Sequence, residues 1–290
     1  MKPNVPITYF LDWRTVSNEL VPVMMEQAVA TGIENIILSS ALMHRVDELD
    51  VHELFLKSAA AAGLTYVDAH APLGETELLG LPPEKNRKAM LRHAANSLAL
   101  SAEFGCKTCT FHVWNWRPDS HSAEERFGFI CKSLETLLPI AEQNGVIIAL
   151  ENVWCPPNNA DYLVRIVEHF KSPWLGLCYD SGHAFIFDQG RYNPEKSCVP
   201  ISWTCPVEEI PWDDKMLEKM LPWLVNCHLH DNDGLNDQHV LPGKGKIDWK
   251  HVVGLLAQAP NLKCIQSEVI SKWQDGSFKT LKEDFEKIFD

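Results

Sequence analysis

Short apolar runs alternate with amphipathic stretches along the whole chain. Eight runs read as strands: residues 7–11, 35–39, 64–68, 108–112, 146–151, 175–180, 225–229 and 262–268. Several are continuous, such as Val146-Ile147-Ile148-Ala149-Leu150, and a run without alternation suits a parallel strand covered on both faces. Helical spacing fills most of the gaps. Across 85–104, Leu91, Ala94, Ala95, Leu98 and Ala102 share one stripe, and Gly105 follows at the C-cap. Segments 47–62 and 134–144 also run into glycines, Gly63 and Gly145. Eight strand-helix units in 290 residues predict one domain, an α/β TIM (β/α)8 barrel over 1–290, rather than an open doubly wound sheet. No G-x-G-x-x-G follows the first strand, which argues against a dinucleotide fold. Residues 185–212 break the pattern with four prolines, two cysteines and little periodicity. They follow the sixth strand, so they are expected at the barrel mouth, as a lid, an oligomer contact or a passive surface loop.

Composition narrows the function. Hydrophobic residues make up 46% and charged residues 22%, a folded balance. No run approaches the ~20 apolar residues of a membrane span. No apolar region follows Met1-Lys2-Pro3-Asn4, so the expected location is cytoplasmic. The net charge is −13 and no dense Lys/Arg run occurs. Nucleic acid is therefore not the expected partner, because its binding draws on phosphate neutralisation. The nine cysteines form no framework and read as reduced thiols. Cys106 and Cys109 form a C-x-x-C inside a strand segment, where residues three apart point to opposite faces. They are read as buried apolar side chains.

The active end of such a barrel is the C-terminal end of its strands. Six successive strand ends carry ligand-capable residues: Asp68-Ala69-His70, Thr110-Phe111-His112, Leu150-Glu151-Asn152, Asp180-Ser181-Gly182-His183, His228-Leu229-His230-Asp231 and Gln266-Ser267-Glu268. Asp237-Gln238-His239 follows the seventh strand. Buried carboxylates are costly unless paired or bound to metal. Barrel closure would bring Glu151, Asp180, His228 and Glu268 around one divalent cation, and His with carboxylate donors suits zinc or manganese. Taken singly, each has a plainer role: a hydrogen-bonded histidine, a glutamate at a helix N-terminus, an Asp180–His183 turn contact. His52, His93, His169 and His251 fall on helical segments and read as surface or packing residues, and His44 and His121, near helix starts, carry little weight.

Four runs carry a resemblance: Ala149-Leu150-Glu151-Asn152, Asp180-Ser181-Gly182-His183-Ala184-Phe185, His228-Leu229-His230-Asp231 and Pro242-Gly243-Lys244-Gly245-Lys246-Ile247-Asp248-Trp249. Together they resemble the xylose-isomerase-like TIM barrels, which include sugar-phosphate isomerases and epimerases, ketose 3-epimerases, inosose dehydratases and AP endonucleases of the endonuclease IV type. The resemblance runs from about the third strand to the eighth. It implies a metal-dependent isomerase or epimerase of a sugar or polyol, with metal on Glu151, Asp180, His228 and Glu268. The ion would polarise a substrate carbonyl and stabilise an enediolate. Glu151 and Glu268 would be the catalytic pair that takes and returns a proton. His183 would hold a sugar hydroxyl, His70 would contribute to substrate binding, and Trp114 and Trp116 would wall the sugar ring or simply pack the loop. Zinc or manganese is expected, with magnesium and cobalt also compatible. A carbohydrate is the expected partner, and the resemblance suggests a dimer or tetramer.

The endonuclease-like members imply a three-zinc alternative. There His70, His112 and Glu151 hold one ion, Glu151, Asp180, His228 and Glu268 a second, and His183, Asp237 and His239 a third, a set suited to phosphodiester hydrolysis. The turn Tyr9-Phe10-Leu11-Asp12-Trp13-Arg14 departs from that pattern, and no basic loops are evident. The loop Asn232-Asp233-Gly234-Leu235-Asn236-Asp237 lacks the arginine of the ketose 3-epimerases, which argues against that activity. A non-catalytic metal- or sugar-binding barrel is the remaining alternative.

Overall fold

The structure is a computed structural model. It describes residues 3–14, 16–45, 49–114, 121–154, 158–188, 195–197, 210, 212–269 and 277–290. Eight parallel strands close into a barrel in sequence order: β1 (Ile7–Tyr9), β2 (Asn35–Leu38), β3 (Thr65–His70), β4 (Thr108–Phe111), β5 (Ile147–Glu151), β6 (Leu175–Asp180), β7 (Leu224–Leu229) and β8 (Ile265–Ser267). Closure runs through β8 and β1, where Ile7, Thr8 and Tyr9 stand opposite Ile265, Gln266 and Ser267. Every predicted strand is present. β3 continues two residues past the predicted end, so His70 is the last residue of the strand itself.

Helices among the described residues are α1 (Val21–Ala30), α2 (Ser40–Arg45), α3 (Leu49–Ala62), α4 (Arg87–Glu103), α5 (Ala123–Asn144), α6 (Ala160–Phe170), α7 (Ser181–Phe187), α8 (Met216–Met220), α9 (Trp249–Leu256) and α10 (Phe278–Glu286). None is long and apolar enough to cross a membrane. α5 starts eleven residues before the predicted 134 (134 − 123). Its first turns are rich in Glu and Arg, so the apolar stripe begins late. A capping box sets its start instead: the Ser122 hydroxyl accepts from Glu125 N, and Ser122 N donates to the Glu125 carboxylate. It stops at Gly145, whose φ of 65° is the left-handed C-cap conformation. α7 takes up the first residues of the 185–212 segment; 189–194, 198–209 and 211 lie outside the described residues.

Side chains alternate between the helix layer and the barrel interior. Outward residues such as Ile36, Leu38, Ile148, Leu150, Leu177 and Leu229 are fully buried under the helices, and each contributes about 1.5–3 kcal/mol of burial. Inward positions are largely polar: Thr8, Asp68, Thr110, Asn226 and Gln266 are all inaccessible to solvent. A register shift between Leu177 and Cys178 pairs Asp180 with His228 at the mouth. Cys106 and Cys109 are free, buried thiols; burial pushes Cys109 up to about 12, so neither behaves as a reactive cysteine.

Candidate metal centre

The mouth gathers the strand-end residues into overlapping groups. Glu151, Asp180, His228 and Glu268 offer ligand atoms within 4.8 Å of one another, as do His70, His112 and Glu151, and a third group of His183, His230, Asp237 and His239. Glu151 is the hub. Its Oε2 lies 3.2 Å from His70 Nε2 and 2.9 Å from His112 Nε2, and its Oε1 lies 3.2 Å from His228 Nδ1. Glu268 Oε2 stands 3.3 Å from the same His228 Nδ1. In the third group, Asp237 Oδ2 is 3.2 Å from His183 Nε2, and Asp237 Oδ1 is 3.3 Å from His239 Nε2.

Three of the rings are turned by their other nitrogen. His70 Nδ1 donates to Ala71 O at 2.7 Å, His183 Nδ1 to Asn152 O at 3.0 Å, and His239 Nδ1 to Glu268 O at 2.9 Å. That leaves Nε2 of all three facing the carboxylates, the arrangement by which outer partners fix a metal-binding imidazole. His239 needs a left-handed backbone, φ 48°, to reach its place, a strain that persists only where its surroundings hold it.

The framework beneath is specific. The Asn152 amide clamps the backbone of Asp180, donating to Asp180 O at 2.9 Å and accepting from Asp180 N at 2.7 Å. Asp180 caps α7 through His183 N at 2.6 Å, so the expected turn contact and a place in the ligand group coexist. The Ser181 hydroxyl bridges His230 N and O. Asp231 anchors the following loop: Oδ1 accepts from Asn232 N and Ile247 N, and Oδ2 from Gly243 N and Trp249 Nε1.

Charge is the central feature. Among the described residues, Glu151, Asp180, Asp237 and Glu268 make ion pairs with histidines and none with Lys or Arg. Burial works against ionisation of Glu151, yet His228 and His112 hold its carboxyl well below the usual range. Burial likewise opposes the charge on Glu268, which His228 holds down, and on Asp237, which His183 holds down. The histidines respond in the opposite sense. Burial disfavours their charge, but Asp180 and Asp237 raise His183 well above its ordinary value, and Asp237 brings His239 to about 9. Such a cluster favours positive charge at its centre, carried by imidazolium or by a divalent ion. Asp237 Oδ1 and His230 Nδ1 are buried with no hydrogen-bond partner. Donor types, ring orientation and these orphaned atoms fit a cation.

Above the donors is a cavity of about 420 Å³, within the size range of small-molecule sites. Glu151, His183, Asp237, His239 and Glu268 form one side; Phe10, Ile37, Leu73, Leu78, Trp114 and Trp154 supply apolar wall. Asn158 clamps Trp114 at both its N–H and carbonyl. A Cβ on Gly80 would fall 2.4 Å from the Trp114 ring, so the ring is both loop packing and cavity wall. Trp116 lies outside the described residues.

Residues 25–273 match the family described as xylose isomerase-like TIM barrel. The chain belongs to this family. A relative of this xylose isomerase-like barrel is the protein y4fM of Sinorhizobium fredii, 25% identical over 229 residues; the match covers 71% of this chain and 66% of the relative, slightly under two thirds of its length. Among solved structures, a D-tagatose 3-epimerase-like protein superposes with a TM-score of 0.69 at 19% identity, covering 100% of this chain and 97% of the other. The IOLI protein with a bound zinc atom does so at 0.71 and 16%, covering 100% and 96%. At these identities the structural likeness is one of fold.

The xylose isomerase-like barrel brings together all nine candidate ligands named from the sequence, Asp237 and His239 from the loop after β7 among them, and adds two residues that were not assigned. His230 joins the third group; its signal was parity, since it lies two residues after His228 and so faces the same side. Trp154 donates Nε1–H to Asp237 Oδ2 at 3.3 Å while lining the cavity; nothing in its local sequence marked that contact.

Proposed function

We propose that this protein is a divalent-metal-dependent isomerase or epimerase of a sugar or polyol. One observation carries the reading: Glu151 and Glu268 approach the same His228 Nδ1, at 3.2 and 3.3 Å, and both line the cavity. Glu151, Asp180, His228 and Glu268 are the residues that would hold the ion. When bound, a divalent ion supplies Lewis acidity that polarises a carbonyl. Both glutamates are held ionised, so one is ready to take a proton from the carbon beside a carbonyl; the other, after taking a proton from solvent, delivers it to that intermediate, and the first then releases its proton to solvent. His183 has Nδ1 engaged by Asn152 and Nε2 by Asp237, which favours a ligand-group role for it over holding a sugar hydroxyl. The apolar wall of Phe10 and Trp114 suits the C–H face of a sugar and excludes water from the exchanging carbon.

The test is solvent exchange. The protein loaded with manganese or zinc is incubated with a panel of ketoses and keto-sugars in deuterium oxide and followed by NMR. Deuterium incorporation at one carbon, lost in Glu151→Gln and Glu268→Gln, supports the reading. A loaded protein that exchanges no member of the panel counts against it.

A second reading has its own observation. The His70–His112–Glu151 group forms, which proton transfer at one ion does not require and a three-zinc phosphodiesterase does. Against it, Arg14 is the one Lys or Arg among the described cavity residues, and its guanidinium is doubly bonded to Asp12, at 2.8 and 2.6 Å. Cleavage of a duplex carrying one abasic site would establish this reading in place of the first; an intact strand at high enzyme excess removes it.

A further inference from the structure

We infer that His230 is a positioning residue: its Nε2–H fixes the Asp180 carboxylate in the orientation that Asp180 brings to the donor group of Glu151, His228 and Glu268. The inference rests on the metal-centre reading for its consequence. It adds a residue that is fully buried and does not line the cavity, and that therefore acts through Asp180.

Asp180 needs such a hold. The torsion that turns an aspartate carboxylate is soft, with broad wells, and among the described residues Asp180 makes ion pairs only with histidines. Two donors set it. His183 N meets Oδ1 at 2.6 Å, and His230 Nε2 stands 3.2 Å from Oδ1 and 3.2 Å from Oδ2. A donor equidistant from both oxygens fixes the carboxylate plane, which one bond to Oδ1 leaves free to turn. An ionised carboxylate only accepts, so Nε2 carries the hydrogen. Each oxygen has a lone pair to spare, and Asp180 still offers a ligand atom to its group.

The ring that does this is itself locked. β7 pairs His228 with Asp180, and His230 follows two residues later on the same face. His230 N donates to the Ser181 hydroxyl at 3.0 Å, and that hydroxyl donates to His230 O at 2.8 Å, which ties the backbone to the residue after Asp180. One ring face stacks on His239, with centroids 3.7 Å apart and planes 16° apart. The ring edge rests on Gly182, where a Cβ would fall 2.0 Å from Cε1 and 2.6 Å from Nδ1; only glycine there admits the ring. Asn232 Nδ2 donates to Gly182 O at 2.9 Å and keeps that backbone in place.

Nδ1 meets no hydrogen-bond partner, so the ring's hydrogen bonds go to Asp180. A buried nitrogen without a partner is costly. An apolar side chain would fill the same space without that cost, so packing does not account for a histidine here, and the contact with Asp180 does.

The experiment compares the full-length parent with His230→Leu and His230→Gln. Leucine fills the space without a donor, and glutamine keeps an N–H at similar reach. Manganese affinity is read by paramagnetic resonance titration and the fold by circular dichroism. His230→Leu should bind manganese about 10- to 100-fold more weakly, roughly the worth of an outer-shell partner, with the fold retained. His230→Gln should recover most of that loss. A packing role predicts the opposite order, with leucine no worse than glutamine. In the chelated parent, nitrogen–proton correlation spectra of the imidazoles should show His230 as the Nε2–H tautomer, a readout that needs neither metal nor variant. Parental affinity in His230→Leu, equal losses in the two variants, or an Nδ1–H tautomer overturns the inference. If His230→Leu does not fold, the parent's tautomer decides. The Nε2–H tautomer in a protein that binds no divalent ion leaves the hold on Asp180 standing and removes the proposed reaction. Deuterium exchange on a sugar with manganese bound, and parental affinity in His230→Leu, does the reverse.

Discussion

Replacing Asp231 with asparagine isolates the loop anchor without touching a candidate ligand. Asp231 is fully buried and receives four N–H groups, two on each oxygen, at 2.8 to 3.1 Å. An asparagine amide has one oxygen. Whichever way it turns, two donors face an NH₂ instead of an acceptor. Hydrogen bonds to a charged group are worth about 1.5–3 kcal/mol each, so two lost bonds predict about 3–6 kcal/mol of destabilisation. At about 2–4 °C per kcal/mol for a chain of this size, the melting temperature should fall by roughly 6–24 °C. Circular dichroism melts of the chelated parent and Asp231→Asn measure it. Gly245→Ala serves as a second probe, because its Cβ would fall 2.2 Å from Asp231 Oδ1 and 2.3 Å from Asn232 O. Metal content should drop in both variants, since the anchored loop carries Asp237 and His239. An Asp231→Asn protein that melts within about 2 °C of the parent would refute the assignment of these four bonds as a stability determinant.

Glu151→Gln removes the charge shared by His70, His112 and His228; manganese affinity, read by paramagnetic resonance titration, should fall about 100-fold or more, with the fold retained by circular dichroism. Asn152→Ala deletes both bonds of the Asp180 clamp; denaturant titration should show a loss of about 1–3 kcal/mol, and metal affinity should drop 10- to 100-fold, roughly what outer-shell partners are worth. Ser122→Ala breaks the α5 capping box far from the mouth; it should cost about 1 kcal/mol and leave metal content unchanged by plasma mass spectrometry.

Much of the barrel was legible because strand and helix periods are local. Val146 to Leu150 reads as a strand from its own side chains, and Gly63, Gly105 and Gly145 mark where helices must stop. The missed half of α5 shows the limit of that reading: Ala123 to Phe129 carries few apolar positions, and a side-chain cap at Ser122, not a stripe, starts the helix. The donors were legible as a set because they recur at equivalent strand ends. Chain position alone could say no more than that, since each histidine or carboxylate taken singly fits a plain structural role.

Tertiary structure decided which donors share a centre and which atom each presents. Glu151 meets His70, His112 and His228 only after closure brings residues 81, 39 and 77 positions away to one point. The faces of His183 and His239 are set by carbonyls distant in the chain, Asn152 O and Glu268 O. His230 enters the third group because residue 182 has no side chain to occupy its space. Periodicity is a property of neighbours along the chain, whereas coordination depends on distances fixed by how eight strands stagger around an axis. The sequence therefore determined the barrel and its ring of donors, and the folded packing alone determined their grouping.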